Sequence, residues 1–548
     1  LLLALSGGAL LVGVELLITA VALPSIVTDL ADWTQLRRAS WVVNAYLLAY
    51  IATMPLAGRA ADRFGLPRLF MLALGAFALG SALSGAAQSL DQLIAARVIQ
   101  GIGGGAVVPL ATAGASLLYD GHGRARALGV VGACTFLGMA IGPFAGATVL
   151  QVFDFAPAFA GAGSTGGMAA SLLTPSWRWI FYLGAPLAVI AMLFVWAAAA
   201  RWRAQREAGS LDALGAGLFT ASVAASLLAL TTLGEAPPPP PLDGSPPETP
   251  LLGPALYGLI AVVCGVVALL RFARAKDPFL DLRAFRSRVF SSAVLVSLLT
   301  GYGLATAIIG AAVFVDRVRY AGSDEQRLVL GGLALATAVG ALASGFALRA
   351  VGLVVLSLVG LALAAFGLVL LAGLVPASPL ATLLIGVVLF GFGFGLTVTP
   401  RSTAAVEALG KRAFGMASAG VTVARMAGMA VGLAVLTGLG SNRIQALTVV
   451  LTDQAARDLV LPPELRGRPL EDGLVVDALE RWASNEAAAI LAGLFLVAAA
   501  VMVVAVLPTL AMRSDATRRG GRATISAADG ASTGEQGDNT GTRSAGAF

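Results

Sequence analysis

Long apolar runs, each closed by a short polar break, recur from the first residue to about residue 512. Coiled as a helix, about 20 such residues at about 1.5 Å each cover the roughly 30 Å of hydrocarbon in a bilayer. Dividing the chain at its polar breaks predicts about fourteen membrane spans, near residues 3–24, 39–57, 69–88, 92–117, 127–150, 179–200, 211–232, 251–272, 289–315, 328–349, 353–375, 380–399, 414–440 and 487–512. The expected fold class is therefore an all-α polytopic membrane protein. Composition agrees, since 58% of residues are hydrophobic and only 12% are charged, too few for a soluble domain. The net charge of +6 does not indicate a nucleic-acid partner, because the arginines sit in short loops between spans and not on one polar face. Cys134 and Cys264 lie inside apolar runs without CxxC or Cys/His spacing, so neither a disulfide framework nor a metal site is expected. The first span is read as a true helix and not as a cleaved signal segment.

Loop charges set the expected orientation. Arg59, Arg63 and Arg68, then Arg124 and Arg126, then Arg201, Arg203 and Arg206, then the cluster from Arg271 to Arg288 fall on alternate loops, which the positive-inside rule places in the cytoplasm of a plasma-membrane protein. Both termini then face the cytoplasm. The proline run at 237–241 reads as an extended external spacer, residues 441–486 as a long external segment broken at Pro462 and Pro463, and residues 513–548 as a disordered cytoplasmic tail.

The chain also repeats itself. GRAADRFGLPRL at 58–69 aligns without a gap on GFALRAVGLVVL at 345–356, matching Gly58 to Gly345 and Gly65 to Gly352, and GIGGGAVVP at 101–109 echoes GFGFGLTVTP at 391–400. Such self-similarity is common in secondary transporters. It divides the chain into a first six-helix half at 1–200, an inserted linker with two helices at 201–288, and a second six-helix half at 289–512.

Three stretches carry chemistry. In the Gly58–Gly65 loop, glycines permit tight turns and close approach, and Asp62 can pair with Arg63, Arg68 or the positive end of a helix; such a latch would hold one side shut. The second copy has Arg349 where Asp62 stands, so the latch should be one-sided. LIAARVIQGIGGGAVVP at 93–109 buries Arg97 in an apolar run. LGMAIGPFAGA at 137–147 sets Gly138, Gly142 and Gly146 four residues apart beside Pro143, a flat groove for a partner helix. GIGGGA formally satisfies a dinucleotide fingerprint, but no strand precedes it, and no phosphate-binding GxxxxGK[ST] loop exists. Transport would then draw on an ion gradient, with no cofactor.

In this order the three stretches resemble the motifs of the major facilitator superfamily, specifically its fourteen-helix drug:proton antiporter branch. The resemblance implies that 58–65 is the signature between helices two and three, that Arg97 is the buried base of helix four, and that 137–147 is the helix-five antiporter motif, sealing the two halves against leaks. Related antiporters place an Asp before a similar ALP ending in helix one. Here Glu15 stands at the matching place.

A carboxylate in the middle of a span costs about 2.5 kcal/mol or more, so intramembrane acids face a cavity and find partners. Helical rise puts Glu15 about 14 Å and Arg97 about 9 Å below the external surface, and Arg425 about 15 Å in from the cytoplasm. Arg97 is thus the first candidate counter-charge and Arg425 the second. An acid beside an arginine can cycle, protonated toward one side and paired toward the other, which makes Glu15 the candidate proton site; a permanent salt bridge is the alternative. The remaining polar anchors between the halves, Asn44, Tyr46, Gln100 and Thr135, are few, which suits hydrophobic or amphiphilic cargo better than sugars.

The expected function is proton-antiport export of such compounds, that is, multidrug efflux. The alternative is lipid export, because residues 46–65 most closely resemble the mycobacterial triacylglyceride exporters, which also have a long external extension; that branch implies an external lipoprotein partner. Some of those exporters have a Glu just before the antiporter motif where this chain has Phe136, so lipid export ranks second. A channel would need a continuous polar lining, and an embedded enzyme a paired-acid or His-rich site. The sequence shows neither.

Overall fold

The computed structural model describes residues 1–30, 41–153, 155, 168–199, 212–234, 253–276, 278, 280–410, 414–436, 454–469 and 472–512. The proline run, residues 156–167 and the tail lie outside them, and so do residues 437–453. Fourteen long helices fill the described residues, and no strand does. They are α1 (Leu2–Leu30), α2 (Trp41–Phe64), α3 (Leu66–Ala86), α4 (Leu90–Leu118), α5 (Gly121–Val152), α6 (Trp177–Ala199), α7 (Ala213–Gly234), α8 (Pro254–Arg274), α9 (Arg288–Val313), α10 (Ser323–Val351), α11 (Leu353–Ala372), α12 (Leu380–Leu409), α13 (Phe414–Val435) and α14 (Gly473–Val504). Thirteen are long and apolar enough to cross a membrane, and α7 has a shorter apolar stretch at Ala213–Ala229. Each expected span thus overlaps one of these helices among the described residues.

The internal repeat becomes a repeat of packing. In the first half α5 lies on α1, α4 on α2 and on α3, and α6 on α3 and on α1; in the second half α13 lies on α9, α12 on α10 and on α11, and α14 on α11 and on α9. Each contact recurs eight helices on. Between the halves α5 meets α10 and α2 meets α13, which is the same pairing read in both directions. Two similar halves facing each other about a pseudo-two-fold axis account for all of these contacts, and the major facilitator fold has that form.

The repeated glycines explain how closely the halves approach. A Cβ on Gly58 would stand 2.5 Å from both Ala419 Cβ and the Gly415 carbonyl oxygen, and one on Gly345 would stand 2.9 Å from the Ala125 oxygen and 3.2 Å from Gly129 Cα. Only glycine allows these backbones to touch. Both contacts lie toward the arginine-rich end of the molecule, where the halves are closed on each other. Gly65 and Gly352 also correspond, with φ of 90° and 82°; each turns the chain between two helices in a region that L side chains avoid.

Two expectations change. The stretch from Gly58 to Phe64 is not a loop but the last two turns of α2, and only Gly65 departs from the helix. Its small residues and arginines read as loop composition, yet an arginine near a helix C-terminus suits the helix dipole. The last helix likewise starts at Gly473, fourteen residues before the expected span, and Asp472 caps it by accepting from the Leu474 N–H at 3.0 Å. Its extra turns pack Val475 and Leu479 against Leu461, while the Ser484 hydroxyl donates to the Val318 carbonyl at 2.6 Å.

The inserted helices pair with each other. Arg271 Nε donates to Asp212 Oδ1 at 2.6 Å, and the Ser222 hydroxyl donates to the Ala261 carbonyl at 2.8 Å. The outer surface of α8 exposes Leu259, Val262, Val266 and Leu270, as a lipid-facing helix should.

Candidate functional site

The seat of Glu15 is built by glycines. Gly13 packs on the Thr135 carbonyl and Gly138, Gly142 packs on the Val14 carbonyl, and Gly146 packs on Ile18. The groove of the antiporter motif is thus filled by α1, the helix that carries Glu15, within the same half. It does not face the other half, so the groove itself is not the seal between halves. Pro143 is buried in the same helix, and α5 turns other residues toward α10, among them Gly129 and Phe144.

Held there, Glu15 is 3% exposed and Arg97 1%. Arg97 Nη1 donates to Glu15 Oε1 and, at 2.6 Å, to Gln100 Oε1, while its Nε donates to the Val42 carbonyl at 3.0 Å. Thr19, one turn beyond Glu15, donates to the same Oε1 at 3.1 Å, and Gln100 donates on to the Ser81 hydroxyl at 2.8 Å. The Tyr46 ring lies 4.2 Å and the Phe181 ring 5.4 Å from the guanidinium carbon. Five helices, α1, α2, α3, α4 and α6, thus converge on one ion pair. The spacings explain the cluster: Glu15 with Thr19 and Arg97 with Gln100 are four and three residues apart, one face each. An aromatic ring against a desolvated guanidinium adds about 2 kcal/mol.

Arg425 lies elsewhere. It lines a small cavity between the halves with Arg401, Thr112, Thr135, Ser402 and Thr422, and apolar residues from α4, α5, α12 and α13 complete the wall. Its guanidinium carbon lies 5.7 Å from the Phe136 ring. Of the expected polar anchors, Thr135 lines this cavity, and its hydroxyl donates to the Val131 carbonyl at 2.9 Å. Tyr46 and Gln100 belong to the Glu15 cluster instead, and Asn44 is half-buried on α2.

At the arginine-rich end Arg63 lies over the Phe64 ring at 5.6 Å, Gly65 turns the chain and Arg68 is exposed. The side chain of Asp62 lies outside the described residues. One contact joins the halves at this end, Arg126 of α5 lying 5.4 Å from the Phe346 ring of α10, while Arg124 pairs with Asp120 at 2.8 Å at the start of α5 itself.

Three features escaped the sequence. Arg401, 1% exposed, donates to the Thr300 hydroxyl and lies 4.9 Å from the Phe394 ring. The expected span of 380–399 leaves it in a loop, whereas α12 continues to Leu409; a charge directly after that apolar run is its available signal. Tyr50 stacks on Tyr46 at 5.7 Å. At the far end Arg178 donates to the Gly85 and Ala87 carbonyls at 2.8 and 2.5 Å, and Trp177 donates to Asp29 at 3.0 Å, tying α6 to α1 and α3.

Two like halves of six helices each, with an inserted pair between them, meet around a cavity, and the first half buries an ion pair; together these define a membrane transporter. The chain belongs to the Major Facilitator Superfamily, whose sequence profile matches residues 5–433. It is 35% identical over 483 residues to a triacylglyceride transporter of Mycolicibacterium hassiacum, covering 84% of this chain and 82% of the relative. It is 31% identical to the triacylglyceride transporter of Mycolicibacterium smegmatis, covering 85% and 80%. Among solved structures, the fold is shared with an inward-facing bacterial homologue of the lysosomal transporter Spinster (TM-score 0.54, 18% identity, 94% of this chain and 98% of that one). It is also shared with the human organic anion transporter TETRAN (TM-score 0.53, 17% identity, 91% and 98%).

Proposed function

We propose that the chain is a proton-coupled exporter of hydrophobic and amphiphilic compounds, with lipids as its cargo class. It works by alternating access in the plasma membrane, with the arginine-rich end and both termini in the cytoplasm. The Glu15–Arg97 pair carries the reading. A carboxylate that shares a buried site with an arginine changes its partner when it takes up a proton: protonated Glu15 no longer balances Arg97, whose remaining partners are the Gln100 and Val42 oxygens. Because α1 is locked into the glycine face of α5, a shift of Glu15 against α4 moves helices rather than one side chain. Opening outward, the site takes a proton; opening inward, it releases it and restores the pair. Cargo crosses in the opposite sense.

Lipid cargo is supported by the names of the relatives, which covered most of both chains, and by the largely apolar cavity wall. General efflux of drug-like compounds, placed first by sequence alone, becomes the second reading. The turns by which α14 projects beyond the span offer a surface for an external lipoprotein acceptor.

Inside-out vesicles with an acidified lumen test the coupling. A fluorescent lipid should accumulate against its gradient with the native protein, and Glu15→Gln should reduce accumulation to leak level while inserting normally. Gradient-driven accumulation by that variant at the native rate would remove Glu15 from the mechanism.

A further inference from the structure

The cavity between the halves holds two cations and no anion. Arg401 reaches it from α12 and Arg425 from α13, and no carboxylate is among the residues that line it. Arg425 Nε is buried without a hydrogen-bond partner, and Phe136 offers the guanidinium only a ring face. Arg401 has the neutral Thr300 hydroxyl and the Phe394 ring. A guanidinium carries five N–H donors in a planar fork, so most of this donor capacity is unspent. Glu15 is already paired with Arg97 in another cluster. The two guanidinium groups also act on each other as like charges. A desolvated cation pair of this kind is stabilised by an anionic guest.

The rest of the wall states what else the guest carries. Thr112, Thr135, Ser402 and Thr422 add hydroxyls near the arginines, and the remaining lining is aliphatic or aromatic. The cavity has a volume of only about 40 Å³, close to that of one or two waters, so in this state it holds water at most and a headgroup with its tail enters when the halves part.

We propose that Arg401 and Arg425 form the headgroup subsite of the cargo pathway and bind the carboxylate or phosphate of an anionic amphiphile. The exporter reading underlies this assignment and gains from it a sign of charge: the headgroup recognised here is anionic. Thr300 is a positioning residue, since it holds the Arg401 fork.

Binding to the purified full-length protein in a neutral detergent tests the assignment. Oleate and lysophosphatidic acid are compared with oleyl alcohol and monoolein, which have the same tails without charge. Both anionic probes should bind at least about tenfold more tightly than the neutral ones, as expected for charge-assisted hydrogen bonds. Preference for one anion over the other distinguishes a carboxylate site from a phosphate site, and either supports the proposal. Arg401→Gln and Arg425→Gln should each remove most of that preference, the lysine variants should retain part of it, and Arg274→Gln, on the exposed face of α8, should leave it whole. Equal binding of oleate and oleyl alcohol by the native protein overturns the proposal without any variant having to fold. An unaltered anionic preference in both glutamine variants also overturns it. The exporter reading survives either failure, because it stands on gradient-driven transport and its loss in Glu15→Gln.

Discussion

The two halves share a fold and treat buried charge in opposite ways. In the first, Arg97 is matched by Glu15, two amide or carbonyl oxygens and a tyrosine face; in the second, Arg401 and Arg425 have a hydroxyl and phenylalanine rings and no acid. The packing that surrounds them is nevertheless equivalent. Gly138 and Gly142 seat α1 on α5, and Gly428 and Gly432 seat α9 on α13 in the same manner. The scaffold is therefore common and the charge is what distinguishes the halves: one closes on its own counter-ion, and the other stays open to a ligand's.

Removing one charge from each half should break this comparison most sharply. Arg97→Gln leaves Glu15 buried without its partner, which costs about 3–5 kcal/mol when a buried pair loses one member. Arg425→Gln removes a charge that has no counter-ion, so it should be neutral or mildly stabilising. Thermal unfolding of the two variants in detergent measures the difference. Equal losses would mean that Arg425 is as well compensated as Arg97, contrary to its unpartnered Nε.

A smaller effect separates the scaffold from its cargo of charge. A Cβ on Gly138 would stand 2.8 Å from the Val14 backbone nitrogen and 3.0 Å from Gly13 Cα, and one on Gly428 would stand 3.0 Å from the Tyr302 nitrogen. Gly138→Val and Gly428→Val should each cost about 1–3 kcal/mol by overpacking. Transport should respond unequally, because the first displaces the helix that carries Glu15 and the second displaces α9, whose only charge is Arg288 at its start. Transport rates normalised to inserted protein check this; matched losses would show that seating the helix, rather than Glu15, limits turnover.

Glu15 and Arg97 were legible in the sequence because a charge inside an apolar run is expensive wherever the fold places it, and helical rise alone brought both to a similar depth. Arg401 was not legible for a related reason. The expected span stops at residue 399, whereas neighbouring helices allow a membrane helix to continue through Pro400. The glycine groove was visible as a pattern, while its occupant, α1 of the same half, depended on three-dimensional packing that no local spacing encodes. The same holds for Tyr46 and Gln100, whose polar groups suggested a cavity wall and which complete the ion-pair cluster instead. The register of the repeat, by contrast, was read correctly to the residue: Gly58 with Gly345 and Gly65 with Gly352 occupy equivalent places.

That last equivalence gives the smallest and most direct comparison. Gly65 and Gly352 both open a helix with positive φ, 90° and 82°, and ψ of 129° and 159°. Alanine in either place meets the same backbone conflict, which costs about 1–3 kcal/mol. Gly352 is exposed, with open space where a Cβ would go, whereas Gly65 is buried. Gly352→Ala thus measures the backbone term alone, and the difference between the two unfolding temperatures measures what the first-half turn adds. If Gly65 serves a latch at the arginine-rich end, Gly65→Ala should also change the rate of transport, while Gly352→Ala, beside the unlatched Arg349, should change stability only. An equal rate change in both would make the turn a symmetric hinge and would leave no one-sided latch.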